Sequence, residues 1–212
     1  MQVNEAEIMD RLEEEISPFV EEISYHEAGH AVAAFLITDA KFEGIKIDAI
    51  ENYAFVSPQN DATPDKKTRT PMIIPEITTQ IIILCSGDVA EFLYNGHKCG
   101  HDETDNYYAT KLLSKVCPGE KIPAYIEEIW NIALKLLKQP PNWFAVGQLA
   151  EYIQEARTEP QDWNGNELAY DCEYVEENRE LDGDQVRKII IESFELYYKL
   201  QKREKVYYRE PT

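Results

Sequence analysis

Between Ser24 and Leu36 the chain reads SYHEAGHAVAAFL, and no other run constrains the fold as much. Ser17-Pro18 lies just upstream, with serine suited to an N-cap and proline to the first helical position. The spacing therefore predicts a helix from Pro18 to about Ile37. Ala28, Ala31, Val32 and Phe35 recur at helical intervals and are expected to face the core. Ala28 and Gly29 are small, so nothing bulky crowds a neighbouring element on that side. Any fold of this chain must bury this helix while accommodating two imidazoles, His26 and His30, set four residues apart.

The chain has 212 residues, enough for one domain with a substantial core, and its 43% hydrophobic content fits a globular protein. It carries 21 Lys and Arg against 40 Asp and Glu, a net charge of −19. A field of that sign repels phosphate backbones and anionic lipid surfaces, so neither nucleic acid nor a membrane is an expected partner. Met1 to Val20 is acidic and lacks the basic start and apolar centre of a signal peptide. The longest apolar runs, AVAAFLI and IIILC, fall short of the roughly 18 residues needed to span a bilayer. Cys85, Cys99, Cys117 and Cys172 form no CxxC pair and read as free thiols. Together these features lead to the expectation of a cytoplasmic location.

Residues 1–17 read as an acidic lead-in, 18–200 as one domain with an acidic, turn-rich insertion at 158–178, and 201–212 as a tail. The segment GIKIDAIENYAFVSP predicts a hairpin with strands at about 44–50 and 53–57. Gln59 to Pro71 is polar and proline-rich, as in a loop. IPEITTQIIILCSGDVAEFLYNG predicts a buried helix, broken or bent near Ser86-Gly87. DETDNYYATKLLSKV predicts another, with Asp102 as N-cap and Pro118-Gly119 as its stop. Helices at about 122–138 and 142–157 follow, and a terminal helix starts at Asp182 or Asp184. Trp130, Trp143, Tyr197 and Tyr198 fall at helical spacing and are expected in the core. The fold class is thus mainly α with a small β-hairpin or sheet. No glycine-rich phosphate loop of the P-loop type occurs.

On a helix, His26 and His30 lie nearly one above the other, so both imidazoles can reach one ion. Glu27 lies beside that position, where a general base for an ion-activated water belongs. A catalytic zinc takes a third protein ligand and keeps one position open. The segment NGHKCGHDETD offers His97, Cys99, His101, Asp102, Glu103 and Asp105, and chemistry alone does not choose among them. Asp88 and Glu91 fit a helix surface or a role in orienting a metal ligand from behind.

YHEAGHAVAAFL resembles the zinc motif in the peptidase domain of FtsH-type metalloproteases. FEGIKIDAIENYAFVSP is similar to that family's strand pair, CSGDVAEFLYNG to its GGRAAEELIFG segment, TDNYYATKL to NDLxxAT, and RELDGDQVRKII to its late helix start. The resemblance covers roughly residues 20–195 in order. It departs at Cys85-Ser86 and at Asp88, where the family has a basic residue, and it does not extend to an ATPase module or membrane anchor. It implies an FtsH peptidase-domain-like, zincin-type helical fold. It also implies Zn2+ held by His26, His30 and Asp105, with Glu27 as the catalytic residue. On that basis the chain is expected to be a zinc metalloendopeptidase hydrolysing polypeptide substrates, Glu27 activating a zinc-bound water. The family works as an ATP-driven ring, so an oligomer or a separate ATPase partner is implied too. A second reading uses the same residues: a metal-binding peptidase-fold module without turnover, or an adaptor for a separate partner.

Overall fold

The computed structural model describes residues 5–38, 41–48, 53–59, 74–97, 103–158 and 178–207. The protein is mainly helical with a small antiparallel sheet. Helix α1 (Glu5–Thr38) runs for 34 residues without a break, passing through Pro18. The start expected at Ser17-Pro18, and the boundary placed there, therefore fall inside one helix. Proline removes a single N–H from a helix, and the Glu-, Leu- and Met-containing stretch before it has high helix propensity. Ala28, Ala31, Val32, Ala33 and Ala34 are buried, and Phe35 packs on the core's edge.

Helix α2 (Ile74–Asn95) packs along α1 and also meets α3 (Glu103–Leu113) and α4 (Ile122–Leu137). It too is unbroken. The Ser86 hydroxyl donates to the Ile82 carbonyl at 2.7 Å, inside the helix, instead of opening the chain there. Among the described residues α2 is the one helix long and apolar enough, by length and composition, to cross a membrane. Its polar residues are spread thinly enough that the whole segment reaches a length no single apolar run does. In this fold it lies against three other helices. A 3-10 turn (Gly119–Lys121) leads into α4, and α5 (Pro140–Glu155) follows, starting at the Pro140-Pro141 pair. Asn142 at that junction donates to the Leu136 carbonyl at 2.7 Å, satisfying the end of α4.

The hairpin is β1 (Lys41–Asp48) and β2 (Tyr53–Gln59). Two further strands, β3 (Arg157–Thr158) and β4 (Asn178–Asp182), complete a sheet of order β2-β1-β4-β3. The segment read as an insertion is therefore bracketed by strands, and residues 159–177 between them lie outside the described residues, as do the expected loop at 60–73 and the N-cap Asp102. Arg179 and Leu181 point inward while Glu180 and Asp182 are exposed, the alternation of a half-buried strand. Arg179 is accommodated because its Nε donates to the Gln154 carbonyl at 2.7 Å.

Helix α6 (Gly183–Tyr207) starts in a reciprocal cap. The Gln185 backbone N–H donates to Asp182 Oδ1 at 2.8 Å, and the Asp182 N–H donates to Gln185 Oε1 at 2.9 Å. Trp130 and Trp143 pack on the core as expected, but Tyr198 faces solvent. Ile45, Ile47, Ile81, Leu137, Leu149, Ile153 and Ile190 anchor the interior, each worth about 1.5–3 kcal/mol of burial. Cys85 and Cys117 are in no disulfide among the described residues; Cys99 and Cys172 lie outside the described residues.

Candidate metal centre

Helices α1 and α2 touch at Gly29. A Cβ there would lie 2.4 Å from the Ser86 carbonyl oxygen and 2.6 Å from Ala90 Cβ, so only glycine allows this approach. The contact brings the next residue, His30, and His26 one turn before it, directly over α2. There Gly87 faces them. A Cβ on Gly87 would lie 2.5 Å from His26 Nε2 and 2.6 Å from His30 Nε2. The missing side chain leaves open the space toward which both nitrogens point.

Each ring is held from its other side. His26 Nδ1 is 2.8 Å from a carboxylate oxygen of Glu91, which is only 1% exposed. His30 Nδ1 is 2.7 Å from the Ile83 backbone carbonyl. A carbonyl only accepts, so Nδ1 of His30 carries the proton. An ionised carboxylate likewise only accepts, which fixes the His26 tautomer in the same way. Both Nε2 atoms therefore present lone pairs, and they do so 2.9 Å apart.

The third group comes from α3. Asp105 Oδ2 lies 2.8 Å from His30 Nε2 and 3.8 Å from His26 Nε2. Three electron-pair donors thus converge from two helices, over a glycine of a third. Donors bound tetrahedrally at about 2.0–2.1 Å from one zinc ion are about 3.3–3.4 Å from one another. The separations of 2.8, 2.9 and 3.8 Å bracket that value. Lone pairs this close repel unless a cation lies among them. The donor set, two imidazoles and a carboxylate around a space that a methyl group would fill, fits a zinc ion.

The ion-free electrostatics tell the same story. Burial alone would raise the Asp105 pKa, but when protons instead of an ion sit on the Nε2 atoms, hydrogen bonds from His26 and His30 outweigh it and hold the carboxyl far below its usual range. Burial and the neighbouring His26 push His30 down, yet the hydrogen bond and charge of Asp105, with Glu27 behind it, carry its pKa up. The site is arranged to hold positive charge.

No family model matches the chain, and no curated protein matches it. What is known of the site therefore rests on its geometry. Glu27 is buried at 3% exposure, and His26, Glu27 and His30 each offer an atom within 4.8 Å of the others. The Glu27 carboxylate thus lies beside the two imidazoles.

All four site residues expected from the sequence, His26, Glu27, His30 and Asp105, come together. Of the other candidates for third ligand, His97 is exposed, with Nδ1 3.1 Å from the Asn95 carbonyl. Cys99, His101 and Asp102 lie outside the described residues, as does the Glu103 side chain. Glu91 is not on the helix surface; it is buried and paired with the His26 ring. Asp88 groups with it and His26 within the same 4.8 Å. Two participants were not anticipated. The Ile83 carbonyl has no sequence signal, since every residue carries one. Gly87 had a signal, a glycine inside a helical pattern, but it reads equally as a bend.

Proposed function

We propose that this chain is a zinc-dependent metallopeptidase with an FtsH-type, zincin-like peptidase fold. The observation that carries the reading is the convergence of His26 Nε2, His30 Nε2 and Asp105 Oδ2, with both Nδ1 atoms already committed elsewhere. His26, His30 and Asp105 would hold the ion. When bound, zinc supplies Lewis acidity toward water and a substrate carbonyl. Glu27 supplies the proton transfers. Its carboxylate accepts a proton from the water that attacks the peptide carbonyl, and returns one to the departing amine. A site with a purely structural ion has no use for a buried carboxylate in that place. Glu91 keeps the His26 ring aimed and its Nε2 free of a proton.

Zinc content and cleavage of an unfolded, fluorescently labelled casein test this in the wild type and Glu27→Gln. The expected result is stoichiometric zinc in both and cleavage in the wild type alone. Zinc in both with no cleavage in either would replace this reading with that of a silent metal-binding module. Failure of both proteins to take up zinc after reloading would refute the metal centre itself.

A further inference from the structure

Helix α3 contributes Asp105 to the centre and buries Ala109 and Leu113 against the body. Asp105, Ala109 and Leu112 therefore share one face of the helix, with Leu113 at its margin. Tyr108 lies at the edge of that face, three residues after Asp105, where side chains stand about 5–6 Å apart at Cβ. It is 50% exposed, and Tyr107 beside it is 60% exposed. The two rings meet edge to face, with centroids 5.5 Å apart and planes at 67°. Lys111 places its ammonium 5.5 Å from the centre of the Tyr107 ring, backing the pair from the next turn. Two adjacent large aromatic rings are thus ordered against each other while both stay in water, one turn from a metal ligand. Tyrosine suits such a position, since it gives broad apolar contact for two rotatable bonds and keeps a polar tip in solvent.

We propose that Tyr108, propped by Tyr107, is the wall of a substrate subsite that receives a bulky apolar or aromatic side chain next to the scissile bond. This rests on the peptidase reading of the same centre. Asp105 lies in the first turn of α3, so a peptide whose carbonyl reaches the His26–His30–Asp105 cluster would run close to that turn. Successive residues of an extended peptide are about 3.3–3.4 Å apart, so the side chain one or two positions from that carbonyl comes within reach of a group 5–6 Å from Asp105. The substrate class selected is an unfolded segment carrying Phe, Tyr, Leu or Met at that position, in preference to Ala, Gly or Asp.

The test separates this proposal from the peptidase reading by measuring binding and turnover independently. Zinc-loaded Glu27→Gln protein is titrated with two fluorescent peptides that differ only in carrying Phe or Ala at one central position. Tyr108→Ser and Tyr108→Phe are each placed in the same background. The expected result is about tenfold tighter binding of the Phe peptide, lost to within twofold in Tyr108→Ser and kept in Tyr108→Phe. Zinc content and melting temperature should be the same in all three, because the ring is exposed. In the Glu27-containing protein the same substitution should raise KM for the Phe peptide more than for the Ala peptide. Equal affinity for the two peptides, or a preference that survives Tyr108→Ser, overturns the subsite. A lower melting temperature in Tyr108→Ser with unchanged peptide preference would overturn it too, showing that the ring packs under this chain's own segments. If the preference follows Tyr108 but no protein cleaves, the peptidase reading falls, and with it the placement beside a scissile bond, while Tyr108 stands as the wall of a peptide-binding site.

Discussion

Gly87→Ala should separate metal binding from folding. A methyl group at this position would lie 2.5 and 2.6 Å from the two Nε2 atoms, about 1 Å inside ordinary contact distance of about 3.5 Å. The rings clear it only by turning away. His26 is anchored to Glu91 and His30 to the Ile83 carbonyl, and a turned ring gives up its anchor. A hydrogen bond to a charged group contributes about 1.5–3 kcal/mol and a neutral one about 0.5–1.5 kcal/mol. The donor arrangement therefore costs about 2–4.5 kcal/mol to restore around the methyl group, which weakens zinc binding by about 30-fold to 2,000-fold. Helix propensity works the other way, since alanine favours a helix interior over glycine by about 0.8–1 kcal/mol. The variant should thus keep its helical circular dichroism and a cooperative melt while losing the ion. Competition against a chromophoric chelator gives the affinity, and far-ultraviolet dichroism gives the fold. Zinc affinity within threefold of wild type in a folded Gly87→Ala protein would refute the placement of the ion between these rings and α2.

Two further outcomes follow from the same geometry. Glu91→Gln keeps an acceptor near His26 Nδ1 but removes the charge, and should lower zinc affinity about 10-fold to 100-fold with the fold retained; unchanged affinity in the chelator competition would show that Glu91 only fills space. Tyr94 donates its hydroxyl to Glu21, and that bond, with some burial, pushes its pKa up to about 12. A raised folded-state pKa means that this contribution to stability is whole below about pH 10, the unfolded value, and disappears as pH rises towards 12. Urea midpoints of the wild type should therefore converge on those of Tyr94→Phe between pH 10 and 12, and a constant difference across that range would contradict the assignment.

The helices were legible because their apolar periodicity is strong and their stops are prolines and glycines. The centre was legible for a related reason: four-residue spacing on a helix dictates where His26 and His30 point whatever surrounds them. Asp105 was different. Nothing local distinguishes it from the other candidates in NGHKCGHDETD, and only the resemblance of TDNYYATKL to a known motif ranked it first. The sheet was half visible. β1 alternates with apolar residues inward, but β4 puts an arginine in the buried row, so NRELD does not look like a strand until the Gln154 carbonyl that satisfies Arg179 is known. Partners of that kind come from distant parts of the chain and leave no mark on the segment itself. The persistence of α1 through Pro18 and of α2 through Gly87 shows the converse, tertiary context overriding local breakers.

The sheet order also bears on the sequence of events as the chain is made. Every donor of the metal centre, with Glu27, Glu91 and the Ile83 carbonyl, lies between residues 26 and 105. The inner strand β4 pairs Leu181 with Ile45 and cannot do so until residues up to 181 have been made. Contacts between such distant segments form late, because a long loop must close before they repay its entropy. A nascent chain emerging from the ribosome would thus present all the candidate metal ligands on its first three helices while β1, paired with β2, still waits for β4. The candidate metal ligands would be assembled early, and β4 with the terminal helix would be drawn in last.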